Sequence, residues 1–172
     1  IVGSKDNQQI GQMVLCSSKD LKEWKFETIL AANESGKIGT MWECPDFFQL
    51  GSKRVLICSP QDMKAQKYEF HNGHNSVYFL GDYDEKTHTF VKELPHALDY
   101  GMDFYAPQTT LSPDGRRIMI AWMQSWESYI TPKNYLWSGM MTIPREINLR
   151  NGKLYQNPVK EIENYRNKNF SG

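Results

Sequence analysis

The chain has 172 residues, enough for one compact domain with a core of its own. Apolar residues make up 40% and aromatics 13%, which excludes a disordered chain and suits a sheet protein, since aromatics pack well on pleated surfaces. Lys plus Arg equals Asp plus Glu at 20 each, so the basic excess of a nucleic-acid binder is missing, and no apolar run is long enough to span a bilayer.

The chain then reads as strands joined by turn signals. Met13–Cys16 leads through Ser18-Lys19-Asp20 to Trp24–Ile29. Phe47–Leu50 leads through Gly51-Ser52 to Arg54–Cys58. Ser76–Leu80 leads through Asp84-Glu85-Lys86 to Thr89–Val91. Gln108–Leu111 leads through Ser112-Pro113-Asp114-Gly115 to Arg117–Trp122. Gly139–Ile143 leads through Asn151-Gly152 to Lys153–Tyr155. The hairpins recur about every 30 residues, and two hairpins make one four-stranded propeller blade. The division predicted is one blade at about 44–93 and another at about 104–158, with 11–31 closing an earlier one. A β-sandwich is the alternative that spacing alone leaves open. Cys44-Pro45 and Ala106-Pro107 stand at corresponding blade openings. In a propeller the first strand of each blade lies beside the axis, so Glu43 and the Asp103–Tyr105 segment are expected to converge on one pocket.

The three cysteines, Cys16, Cys44 and Cys58, are odd in number and far apart. That argues against a disulfide framework and for a reducing, cytoplasmic setting. His71 and His74 form an HxxH, but Asn72-Gly73 between them reads as a loop turn, so no metal site is expected.

The sharpest chemical signal is Trp42-Glu43-Cys44-Pro45-Asp46. Burial disfavours the charged form of a carboxyl. A Glu set between Trp42 and Cys44, on a backbone stiffened by Pro45, is therefore suited to hold a proton and donate it to a glycosidic oxygen. A lone strand-end Glu is far more often solvated and idle. Here the wider pattern reverses those odds. Met41–Phe48 resembles the E-C-P motif of family 32 of the glycoside hydrolases, the invertases, sucrose-6-phosphate hydrolases, inulinases and levanases. Three further segments resemble the same family in the right order: Ser18–Trp24 its S-x-D-L-x-x-W hairpin, Asp99–Thr109 its D-x-G-x-D-F-Y-A-P-Q-T segment, and Trp137–Glu146 its W-x-G-x-M-T-L-P-R-E segment.

The resemblance implies an all-β fold, a five-bladed β-propeller usually followed by a β-sandwich. The chain would hold about two and a half blades of four-stranded antiparallel sheets over 1–158, and 159–172 would be a linker towards the sandwich. It implies cleavage of β-fructofuranosyl bonds in sucrose, sucrose 6-phosphate or fructans, by a retaining mechanism with two carboxylates and no cofactor. Glu43 carries over as the general acid/base. The family's nucleophile Asp, in an N-D-P-N-G motif, and its R-D-P Asp do not occur among the 172 residues. The fragment alone is therefore expected to be inactive. Its partner is a fructose-containing oligo- or polysaccharide, and self-association through exposed blade edges is expected.

The substrate-binding candidates are Trp42, Cys44, Asp99, Asp103, Tyr105 and Trp126. Trp126 resembles an aromatic lining the fructose subsite, and Asp99 an acidic position near the leaving-group sugar. Asp99 reads equally well as a cap on the turn before Gly101. Cys44 reads as a pocket wall rather than a nucleophile, Trp122 as core, and Arg145 as a structural ion pair or a carboxylate clamp. The alternative functions are a fructosyltransferase of the same family and a non-catalytic sugar-binding propeller.

Overall fold

The computed structural model describes residues 1–128 and 134–166, and over these it is a stack of antiparallel sheets. The first sheet holds β1 (Val2–Lys5), β2 (Gly11–Ser17) and β3 (Lys25–Ala32). The second runs β4 (Trp42–Leu50), β5 (Lys53–Pro60), β6 (Val77–Asp84) and β7 (Thr89–Lys92), with β8 (His96–Ala97) also paired to β6. The third runs β9 (Tyr105–Leu111), β10 (Arg117–Trp122), β11 (Arg145–Arg150) and β12 (Lys153–Pro158). Each sheet is an up-and-down meander, and its first strand touches the first strand of its neighbour: β1 against β4, and β4 against β9. That is the propeller arrangement, with first strands gathered at the axis.

Two predictions about strands are corrected. The second sheet has five strands rather than four, because β8 extends the free length of β6. Gly139–Ile143 is not a strand of the third sheet; the ladder begins at Arg145, opposite Met119. Pro144 has no N–H to give, and Gly139 stands at φ +79°. Thr142 compensates: its N–H donates to the Ala121 carbonyl and its Oγ1 accepts the Ala121 N–H.

The turns follow local chemistry. Asn151 and Gly152 both take positive φ, as a two-residue hairpin turn requires. Beyond β12 a 3-10 helix, Lys160–Tyr165, is held to the third sheet by Glu161, which accepts Arg116 at 2.7 and 3.2 Å. The linker expected over 159–172 lies in part outside the described residues. Among the described residues, no helix is long and apolar enough to cross a membrane.

The apolar run of β5 explains the stacking. Leu56 and Cys58 enter a core shared with the first sheet, beside Met13, Leu30 and Trp42. Val55 and Ile57 point the other way, into a core shared with the third sheet, beside Met119, Ala121 and Ile147. Alternation of two therefore serves two cores at once. Both Leu56 and Ile57 are fully buried. Replacing either with Ala is expected to lower stability by about 2–5 kcal/mol, read as a shift of the urea midpoint with unchanged slope.

Candidate active site

Glu43 is positioned by a bulge. It lies opposite Ser59 while Asp46 lies opposite Ile57, so β4 makes three steps against two on β5. Cys44, inside the bulge, has φ +47°. The third sheet repeats the device: Tyr105 faces Trp122, Gln108 faces Ile120, and Ala106 has φ +51°. Positive φ is uncommon for residues other than glycine, and bulges turn side chains out of the strand alternation. Here the two bulges turn Glu43 and Tyr105 towards each other. The Tyr105 hydroxyl donates to Glu43 Oε2 at 2.8 Å and lies 3.3 Å from the Ser59 carbonyl. The Ala106 N–H donates to the Ser59 Oγ at 3.2 Å, and the Gln108 amide donates to the Cys44 carbonyl at 3.0 Å. Asp46 Oδ2 accepts both the N–H and the hydroxyl of Thr109, at 2.8 and 2.5 Å. The neighbouring blades are thus stitched along their bulged strands.

Burial, then the hydrogen bond to Glu43, push the Tyr105 phenol well above its usual range, so it remains a donor. Burial and the neighbouring Glu43 carboxylate raise the Cys44 thiol, which keeps it protonated beside the carboxylate rather than nucleophilic.

Around Tyr105 four rings form a circuit. Tyr105 and Trp122 stand 6.5 Å apart, Trp122 and Trp126 5.4 Å, Trp126 and His74 6.4 Å, and His74 and Tyr105 5.8 Å, centroid to centroid. Trp126 is 65% exposed and offers a free face. A cleft of about 230 Å³ opens nearby, lined by Asp103, Ser128, Tyr135, Trp137 and Met140. The Tyr135 and Trp137 rings stack at 4.7 Å, and Ser128 Oγ donates to Asp103 Oδ1. Among the described residues no group of His, Cys, Asp and Glu is placed to hold a metal ion.

With this geometry in view, the comparisons with known proteins are specific. Residues 1–158 match the model of the glycosyl hydrolases family 32 N-terminal domain. The chain belongs to this family. It is 40% identical over 168 residues to a raffinose invertase of Escherichia coli, covering 98% of this chain and 35% of that protein. To a sucrose-6-phosphate hydrolase of Escherichia coli it is 42% identical over 171 residues, covering 99% of this chain and 36% of the relative. Among solved structures, a Bombyx mori beta-fructofuranosidase mutant in complex with sucrose superposes with a TM-score of 0.90 at 35% identity, over 96% of this chain and 35% of that one. The chain thus spans about a third of the length of these relatives.

Within this family 32 domain the structure sorts the sequence candidates. Of the Asp103–Tyr105 segment, Tyr105 meets Glu43, while Asp103 accepts Ser128 and lines the cleft with Tyr135 and Trp137. Trp42 is not on the Glu43 side: it is fully buried between the first two sheets, its indole N–H donating to the Ile38 carbonyl at 2.6 Å and its ring 5.4 Å from Phe79, at the floor of a separate cleft with Asn33 and Lys92. Strand alternation explains this, since Glu43 next to it faces the other way. Tyr105 is only 2% exposed, so it serves Glu43 rather than a sugar. Asp99 is not brought to Glu43. One of its oxygens caps the Gly101 N–H at 2.7 Å and the other pairs with Arg145 at 2.6 Å, in a separate cleft walled by Tyr78, Tyr100 and Tyr155. Trp122, expected in the core, is half-buried in the ring circuit.

Two residues were missed. His74 and Glu127 meet across 53 positions of sequence, with Nδ1 2.7 Å from Oε1. The HxxH is indeed a loop, and that loop is what carries His74 to the site. Glu127, next to the candidate Trp126, was the signal available.

Proposed function

We propose that the protein cleaves β-fructofuranosyl bonds of sucrose-type saccharides with retention, Glu43 acting as general acid and then base. The observation that carries this reading is the Tyr105–Glu43 hydrogen bond of 2.8 Å between equivalent bulges of adjacent blades, which ties one carboxyl to the ring circuit that carries the exposed Trp126. Retention requires a second carboxylate as nucleophile. Asp46, Asp99 and Asp103 are engaged by Thr109, Arg145 and Ser128 respectively, so we assign the nucleophile to residues other than these 172. The fragment by itself is then inactive on sucrose and associates through its open sheet edges. Cys44, half-buried beside Glu43, walls the site, and Asp103 lines the cleft with Tyr135 and Trp137. Family membership and the relatives' names support the substrate class, and the buried thiol of Cys58 fits a reducing, cytoplasmic setting. The test is sucrose hydrolysis by the complete enzyme with the fresh product followed by NMR. β-Fructose appearing first supports the reading, and inversion overturns it. Transfer of fructose to sugar at low sucrose concentration would make the protein a transferase instead.

Trp126 is assigned as the stacking platform for the fructosyl ring. Trp126→Ala is expected to raise KM about three- to tenfold while leaving the folding midpoint near wild type, because its ring is mostly solvent-facing. An unchanged fructose affinity removes the platform.

A further inference from the structure

His74 lies in the loop between β5 and β6, and Glu127 just beyond β10, so the pair spans two blades. Glu127 Oε1 accepts the backbone N–H of His74 at 2.8 Å and meets its Nδ1 at 2.7 Å, while Oε2 accepts Ser125 Oγ at 2.8 Å. Burial acts to raise the Glu127 carboxyl, but the hydrogen bonds from His74 and Ser125 outweigh it and hold the group below its usual value. An ionised carboxylate only accepts, so Nδ1 is the ring nitrogen that carries the proton. The approach leaves no slack: a Cβ on Gly73 would stand 2.7 Å from Glu127 Oε1. The carboxylate therefore fixes the imidazole both at its backbone and at its ring.

The fixed imidazole occupies one corner of the ring circuit. On one side it meets the edge of Tyr105, whose hydroxyl holds Glu43; on the other it meets Trp126. Tyr105 comes from β9 and Trp126 from the chain after β10, while His74 comes from the preceding blade. Within the third sheet Trp122 already links Tyr105 to Trp126, at 6.5 and 5.4 Å, and His74 closes the circuit from the neighbouring blade, bracing both ends of it.

We propose that His74, anchored by Glu127, is a positioning residue that sets the sugar platform Trp126 and the proton donor's partner Tyr105 in register with each other. This role rests on Glu43 as the acid and Trp126 as the platform. It needs both halves of the imidazole: the ring fills the space between two aromatics, and the Nδ1–H keeps the ring from turning. Misplacement of a reacting group by about 1 Å costs on the order of a hundredfold, so a small rotation is enough to matter.

The experiment uses the complete enzyme and begins with wild type and Glu43→Gln on sucrose. Loss of the underlying reading shows there, as absent hydrolysis or an indifferent Glu43→Gln, before any His74 variant is measured. His74→Asn then keeps a side-chain N–H for Glu127 but loses the ring, and His74→Phe keeps the ring and the backbone N–H but loses the ring's bond to Glu127. Both are expected to lose about ten- to a hundredfold in kcat/KM on sucrose. On a fructoside whose leaving group needs no proton, with azide added to relieve the second step, the loss is expected in KM alone. Glu127→Ala removes both bonds from the other blade and is expected to lose at least as much as His74→Phe, and Glu127→Gln, which still accepts, restores most of it. In a double-mutant cycle, His74→Asn and Trp126→Ala are expected to be non-additive, the double variant losing little more than the worse single one. Full activity in His74→Phe reduces His74 to packing, and full activity in His74→Asn reduces it to a loop anchor; either overturns the proposal. Additivity in the cycle, or a Glu127→Ala that behaves as wild type, overturns it as well.

Discussion

Glu43→Gln in the complete enzyme is expected to lower kcat on sucrose by about two to four decades, the usual contribution of a positioned general acid. The amide has nearly the shape of the carboxyl, and its oxygen still accepts from the Tyr105 hydroxyl, so geometry is retained while the proton is lost. The leaving oxygen of sucrose is a poor leaving group without that proton. A fructoside with an activated aryl leaving group departs unaided, and its first step is spared. Its second step still lacks the base that draws a proton from water. Added azide, which needs no base, is therefore expected to restore turnover on the activated substrate and not on sucrose. Equal losses on both substrates, with no effect of azide, would falsify the acid/base assignment.

The second large effect is on stability. Trp42→Ala is expected to cost about 3–5 kcal/mol, read from urea unfolding. The side chain is fully buried, and Gly11 lies against its ring so closely that an added Cβ would stand 2.5 Å from Cδ1. Gly3 approaches from the same sheet, where a Cβ would stand 1.9 Å from the Trp42 carbonyl oxygen. The first sheet is thus seated on this residue through glycines, and its removal leaves both a cavity and a buried Ile38 carbonyl without its donor. Trp42→Phe keeps most of the volume and loses the hydrogen bond, so about 1–3 kcal/mol is expected. A residue that bound sugar would behave in the opposite way, with a raised KM and an intact midpoint. A loss under about 1 kcal/mol in Trp42→Ala would contradict this structural role and return Trp42 to the substrate-binding candidates.

The strands and turns were legible because their causes are local. Gly51, Asp114-Gly115 and Asn151-Gly152 mark hairpin tips that need φ values or side-chain caps available within two to four residues. The E-C-P segment was legible for the same reason, since Glu43 and the bulge residues that turn it are consecutive in the chain. Gly139–Ile143 misled because apolar, β-prone residues look alike whether they join a ladder or, as Thr142 does, give one N–H to a carbonyl and accept the return N–H on a side-chain hydroxyl.

By itself the sequence determined an all-β repeat, the bounds of the second and third blades to within a few residues, and the family through four motifs in order, while the first sheet's β1 went unread. Only the tertiary structure decided which way each side chain faces. A period of two says that Trp42 and Glu43 point to opposite sides of β4, but not which side is core, and burial on both faces of β5 from Val55 to Cys58 leaves no polar residue there to mark either. The pairings that build the site join positions far apart: Tyr105 to Glu43, His74 to Glu127, and Asp99 to Arg145. Each depends on how one twisted sheet seats on the next, a packing fit spread over two whole cores, and no short window of residues encodes it.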